Sequence, residues 1–437
     1  MPDRYWVGGT ANWDGTAGTK WALTSGGPGG QAVPTAADDV YFNAASGAST
    51  VTVSAAAVCR NLSFSGFTGT FAGTSTLAIS GGLTLGAGMT RTYTGVVTFD
   101  GTSSNVLTSN GVILNSNLTF NGVGGAWQLA DSLTTGSTRT VTLTNGTLDI
   151  NSQSFTAGAF SSTNSNARTI AFGASGKFIA TRDGVAIWNT STSTNLTVTG
   201  NAVVEASYSG AVGTRTFNGG ATSEANSVSL TVTAGSDTLV AQNNVKNLNL
   251  SAFAGTLSNS TRVVFGSLTL SASMTLSAGA LATSFQSTAS NNTITVAGKT
   301  LDFPLTFAGA GGVWTFQDAL TQGSSRAFTF SNGTVRLKNG TTSTVGAFAT
   351  SGTTQKFLSS SLAGSQATLS QATGTVSASF LTVQDVAATG GATWDAYADQ
   401  SNVNAGNNTG WNFGASPTAL AYEVPYEIRS FTQPRRF

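Results

Sequence analysis

The sequence predicts an all-β protein, a right-handed parallel β-helix (a β-solenoid) with an internal duplication, aromatic end caps and an extended C-terminal arm. Three observations carry this. Apolar and polar residues alternate over short runs such as Thr140-Val141-Thr142-Leu143, Thr147-Leu148-Asp149-Ile150 and Thr293-Ile294-Thr295-Val296, and a period of two is the signature of a strand. Gly, Asn and Ser clusters separate the runs, while helical periodicity is nearly absent. One long stretch occurs twice.

The first copy contains Leu118-Thr119-Phe120, Gly124-Gly125, Trp127, Asp131, Leu133-Thr134, Gly136-Ser137, Arg139, Asn145-Gly146-Thr147 and Gly158-Ala159-Phe160. The second contains Leu305-Thr306-Phe307, Gly311-Gly312, Trp314, Asp318, Leu320-Thr321, Gly323-Ser324, Arg326, Asn332-Gly333-Thr334 and Gly346-Ala347-Phe348. Matches lie 187 positions apart up to Thr147 and 188 apart from Gly158, so one insertion covers the drift. Upstream, Asn61-Leu62 with Phe67 answers Asn247-Leu248 with Phe253, and Leu83 to Met89 answers Leu268 to Met274. Short strands of this kind suit a sandwich, a barrel or a solenoid. A copy of this length favours the solenoid, because stacked coils lengthen by duplication without reclosing a barrel.

The pair Asn-Leu opens strands at Asn61-Leu62, Asn117-Leu118, Asn195-Leu196 and Asn247-Leu248. In stacked coils an Asn at a corner can bond the coils above and below while the Leu points inward, so the four pairs predict an Asn ladder. The alternative is that Asn marks turns. Leu62, Leu118, Leu196 and Leu248 are expected inside, and Trp127 and Trp314 in equivalent surroundings.

Taken in order, residues 1–57 form a Trp- and Gly-rich N-terminal cap module, with Trp6, Trp13 and Trp21. Residues 58–413 form the β-helix, its duplicated halves spanning about 59–173 and 245–360, and Trp394 and Trp411 mark its far end. A solenoid must cover its terminal coils, which otherwise expose core and strand edge. Large aromatics at both ends read as caps in preference to sugar-stacking platforms. Residues 414–437 form an extended arm. In it Val424, Tyr426 and Ile428 alternate with charged or proline positions, and with Arg429, Phe431, Arg435 and Arg436 they are the candidate partner-binding residues. An unpaired extended segment seeks a neighbouring chain to satisfy its backbone groups.

Composition limits the chemistry. Charged residues are 8% of the 437, with a net charge of +1, against about 25% in ordinary domains. There is no basic run of the kind nucleic acid requires. With no His and one Cys, a His- or Cys-based metal centre, a Ser-His-Asp triad and an intrachain disulfide are excluded, and no cofactor is expected. Cys59, at a strand entrance, is expected to be a buried thiol. The first residues lack the basic and apolar segments of a signal peptide and no run of 18 apolar residues occurs. The expectation is synthesis in a host cytoplasm without membrane insertion. Of the acids, Asp131 and Asp318 are equivalent copies too far apart to act as one catalytic pair, and ion pairs to Arg139 and Arg326 are expected. Asp38, Asp39, Asp395 and Asp399 belong to the caps, so the chain is not expected to be an enzyme.

The opening Tyr5-Trp6-Val7-Gly8-Gly9-Thr10, Asn12-Trp13 and Ala37-Asp38-Asp39-Val40-Tyr41-Phe42, together with the closing Gly391-Ala392-Thr393-Trp394 and Gly406-Asn407-Asn408-Thr409-Gly410-Trp411, resemble the Gly/Ser/Thr-rich β-helix virion proteins of tailed bacteriophages, of the fibre, spike or capsid-decoration type. The segment Val424-Pro425-Tyr426-Glu427-Ile428-Arg429 is similar to short segments of phage head-associated proteins. The resemblance implies a non-enzymatic structural protein on the virion surface, with a slight preference for capsid decoration or a head fibre. Its partners would be capsid or tail subunits and copies of itself, a trimer being one option. The second reading is a tail fibre or tailspike that binds host glycan.

Overall fold

A computed structural model describes residues 2–417, and in it the chain winds into a right-handed parallel β-solenoid of about 17 turns. At about 4.8 Å per coil this makes a rod of roughly 80 Å. Each coil lays down up to three short strands, most of two to five residues, whose buried positions alternate with half-exposed ones. Strands pair in parallel with the coil before and the coil after. Among the described residues the one antiparallel pair, Asp3–Trp6 with Trp21–Ala22, covers the free edge of the first sheet, as an exposed edge strand requires.

Three long sheets result. A 10-stranded face runs from the first coil to Leu196–Thr199, a 16-stranded face runs nearly the whole length, and a 13-stranded face starts at Leu133–Thr134 and ends at Val403–Asn404. Strand pairing passes through residues 2–57 without a break, since Asp3–Trp6 pairs with Asp39–Tyr41 and Ala11–Trp13 with Thr50–Val53. Leu62, Leu118, Leu196 and Leu248 all face the core.

The duplication is structural. Trp127 and Trp314 are both fully buried, and each indole Nε1 donates to a glycine carbonyl two coils earlier, Gly81 at 3.3 Å and Gly266 at 3.2 Å. Around Trp127, Phe99 and Phe120 stack at 5.0 Å; around Trp314, Phe285 and Phe307 stack at 4.8 Å. The second glycine before each Trp is a clearance requirement, since a Cβ on Gly125 would lie 2.1 Å from the Gly101 carbonyl and 2.9 Å from the Trp127 ring, and on Gly312 2.2 Å from the Ser287 carbonyl and 2.6 Å from Trp314, while the first, Gly124 or Gly311, supplies a positive φ of 75°.

The Asn corners act as expected locally. Asn61 Oδ1 accepts from Gly82 N at 2.7 Å while its Nδ2 donates to Asp39 at 2.8 Å, and Asn247 likewise accepts from Ser267 N at 2.7 Å and donates to Ser229 at 3.2 Å. The four Asn-Leu pairs do not form one ladder, however. Leu62 and Leu196 lie on the 10-stranded face, Leu118 on the 16-stranded face and Leu248 on the 13-stranded face. The motif marks a corner, and a coil has more than one.

Corresponding strands of the two copies share the 16-stranded face, as Leu118–Phe120 and Leu305–Phe307 do, but elsewhere they lie on different sheets. The 13-stranded face is the second face of each coil in the first copy, through Leu133–Thr134 and Ser154–Ala157, and the first face in the second copy, through Leu248–Asn249 and Val313–Phe316. The change takes place between the copies. The 10-stranded face ends at Leu196–Thr199, and the long strand Thr238–Val245 forks, pairing at its start with Thr256–Leu257 and at its end with Arg262–Val264. Asn243, at φ 60°, turns the chain at the fork, a conformation Asn tolerates better than most residues. At the start of the same strand the fully buried Arg215 and Asp237 form a bidentate ion pair at 2.8 and 2.6 Å, with the guanidinium over the rings of Tyr208 and Phe253.

Gly81 and Gly266 hold the corner in each copy, where a Cβ would meet the Asn61 or Asn247 amide oxygen at 2.2 or 2.3 Å. Gly81→Ala and Gly266→Ala should therefore each destabilise the fold by about 1–3 kcal/mol, as measured by chemical denaturation. Equal environments predict similar losses. A neutral result at either site contradicts the equivalence of the corners.

Candidate functional site

Both ends are closed by aromatics. At the first coil Trp21 meets Trp6 at 5.0 Å and Trp13 at 5.3 Å edge to face, with all three buried; at the last, Trp394 meets Trp411 at 5.0 Å and Phe348 at 6.1 Å. Six of the eight tryptophans, those at 6, 13, 21, 127, 188 and 314, are fully buried and offer no sugar a platform. Cys59 is buried, and burial, followed by Asp39 and Asp100, pushes its thiol pKa far above the ordinary value.

The acids hold turns. Asp131 accepts from the backbone N–H groups of Ser109 and Asn110 at 2.7 and 2.6 Å, and Asp318 from those of Val296 and Ala297 at 2.9 and 2.6 Å. The expected pairs Asp131–Arg139 and Asp318–Arg326 do not form. Arg139 donates instead to Asn115 Oδ1 at 2.9 Å and Arg326 to Asp302 at 2.6 Å. The reason is geometric: one coil back, about 22 residues away, lies closer than eight residues along the chain. Asp38 accepts from Thr35 N and Oγ1 at 2.7 and 2.8 Å, Asp39 is bound by Arg60 and Asn61, and Asp399 accepts from Ser416. Asp395 accepts from Asn412 Nδ2 at 3.3 Å. The arm residues Val424, Tyr426, Ile428, Arg429, Phe431, Arg435 and Arg436 lie outside the described residues.

Buried cations occupy corresponding corners. Arg168 donates to the carbonyls of Asn166, Ser162 and Thr194 at 2.8, 3.0 and 2.7 Å, and Lys356, 188 positions on, donates to that of Thr354 at 2.8 Å. Burial lowers both pKa values.

The surface site lies immediately outside these two cations. Arg168 and Lys356 open strands whose next residues, Thr169 and Phe357, face outward in grooves of about 220 Å³ in the first copy and about 180 Å³ in the second, which share the matching positions Thr147/Thr334, Thr169/Phe357 and Thr197/Thr382. In the first, the strand register aligns Thr147, Thr169 and Thr197. In the second it aligns Thr334, Phe357 and Thr382, flanked by the column Arg336, Ser359 and Gln384. Asp149 of the first copy stands where Arg336 stands in the second, and is held by Gln128 Nε2 at 2.8 Å. Phe357 is 46% exposed. Arg336 has no hydrogen-bond or ionic partner among the described residues. The sequence does not display this groove, because its lining comes from three successive coils, and Thr382 and Gln384 lie beyond the duplicated halves that end at residues 173 and 360. Traces of its framework are present: Leu196-Thr197-Val198 repeats as Leu381-Thr382-Val383, and Asn195 and Phe380 share a positive φ of 57° and 51°. No group of His, Cys, Asp or Glu among the described residues is placed to hold a metal ion, and none of their helices is long and apolar enough to cross a membrane.

No family model, no curated protein and no solved structure matches the chain.

Asp39 supplies a pH test. Burial raises its pKa, but hydrogen bonds from Arg60 and Asn61 outweigh burial and hold it below the ordinary 3.8. A lowered carboxylate pKa contributes stability that is full above the unfolded value and lost as pH falls through the folded one. Asp39→Asn should therefore melt below the native chain at pH 7, with the gap closing below about pH 4. A gap that persists at pH 2–3 in calorimetry contradicts this account.

Proposed function

We propose that this chain is a non-enzymatic structural rod on the surface of a bacteriophage particle, a capsid decoration or head fibre anchored through residues 419–437. The observation that carries the reading is the use of charge. The acids that catalysis would draw on, Asp131, Asp318, Asp38 and Asp39, are bound to turns, and the buried cations Arg168, Arg262 and Lys356 are spent on backbone carbonyls. Ionisable groups spent on holding coils together stiffen a scaffold. The closed ends support the same reading, since a solenoid with capped termini is protected from end-to-end growth. The arm sequence supplies the attachment: three arginines for a neighbour's carboxylates and Tyr426, Ile428 and Phe431 for apolar contact.

A glycan-binding fibre is the second reading, favoured by the exposed Phe357 beside Arg336. Copy number separates the two, because decoration places many copies on each particle and a tail fibre few.

Deleting residues 419–437 should leave the melting temperature of the solenoid unchanged and abolish incorporation into particles, as read by gel or mass spectrometry of purified virions. Normal incorporation of the truncated chain contradicts the attachment role.

A further inference from the structure

The two grooves derive from one sequence and have diverged at the positions that face solvent. Their framework is retained: a buried cation beneath, the flanking threonines Thr147 and Thr197 or Thr334 and Thr382, and the same strand register. Four outward changes distinguish the second. Phe357 replaces Thr169, Arg336 replaces Asp149, Ser359 replaces Ala171 and Gln384 replaces Thr199. A flat, half-exposed ring costs apolar hydration, and a partnerless guanidinium beside it holds five donors in a planar fork.

We propose that the groove around Phe357 binds an acidic sugar ring, with the pyranose C–H face on Phe357 and its carboxylate on Arg336. The spacing fits. Phe357 pairs with Thr334 and Ser359 with Arg336, so the two side chains are one strand and two residues apart, about 8 Å between Cα atoms. A pyranose lying on the ring thus places a ring carboxylate within reach of the guanidinium, where bidentate pairing favours a planar anion. Hydroxyls of Thr334, Thr382 and Ser359 and the Gln384 amide line the rest of the groove, and such groups match a hydroxyl-rich ligand. Arg336 is the one charged residue of the lining, too little for a phosphate backbone, whose binding draws on several cations. The first groove has threonine at 169 and so no platform, its cation Arg168 is held by backbone carbonyls, and the position matching Arg336 is the acid Asp149.

This inference rests on the glycan-binding reading and sharpens it. The test titrates the purified chain by NMR with oligogalacturonate and with a neutral galactan oligosaccharide of the same length. Phe357→Thr restores the residue found at position 169, so the fold is expected to tolerate it, and melting curves check this. The native chain should bind oligogalacturonate in preference to galactan. Phe357→Thr should weaken binding at least tenfold, Arg336→Gln should weaken the acidic ligand about tenfold and erase the preference, and Thr169→Ala should change neither. Equal binding of both saccharides, or acidic binding unaffected by both groove variants, overturns the acidic-sugar site while leaving the glycan reading standing. Failure of the native chain to bind either saccharide overturns both.

Discussion

Every coil of this molecule has to satisfy the coil above and the coil below at about 4.8 Å, and that constraint organises the rest. A strand of two or three residues gains little alone; it is stable because its hydrogen bonds and its inward side chains continue into neighbours on both sides. The interior accordingly consists of columns. Leu62 lies on Leu83 and Leu83 on Leu107, and Phe285 lies on Phe307, with Phe307 on Phe330. At the corners, where chains bend and backbone groups lose strand partners, Arg168, Arg262 and Lys356 donate to carbonyls and the Asn61 and Asn247 side-chain oxygens accept from N–H groups of the next coil, as buried backbone groups require.

A stack built by duplication meets a difficulty at the junction, and the chain answers it by remaking its cross-section. One face stops at Thr199, another changes from second to first, and the strand Thr238–Val245 splits to restore the third. The buried pair Arg215–Asp237 sits at this point. A buried ion pair is a poor source of stability but a strong penalty on any arrangement that separates its partners. It suits a place where coils could otherwise slip in register.

Much of the architecture is legible in the sequence because the stacking constraint acts on residues one at a time. Period-two runs give the strands, the Trp127 and Trp314 offset gives the duplication, and the terminal tryptophans give the closed ends. Side-chain partners are less legible, since a solenoid sets its contacts by coil and not by chain proximity: Asp131 reaches back to Ser109 and ignores Arg139. The change of faces leaves only a faint local signature, a lapse of the alternation over Gln242-Asn243-Asn244 within Thr238–Val245. The groove around Phe357 is visible only when the two copies are compared at the outward positions that the coil register brings side by side. There a threonine and a phenylalanine at matching outward positions stand out against a framework that is otherwise kept.

The central claim is that both copies belong to one continuous stack. Thr119 and Thr306 occupy the same position in the two copies, outward on the 16-stranded face and eight strand steps apart. Spin labels at these two sites, in a Cys59→Ala background, should give a single distance distribution near 38 Å by pulsed electron resonance, eight steps of about 4.8 Å. A distance of about 10–20 Å, the range for two sheets packed face to face, would mean that the copies fold side by side and would contradict the account.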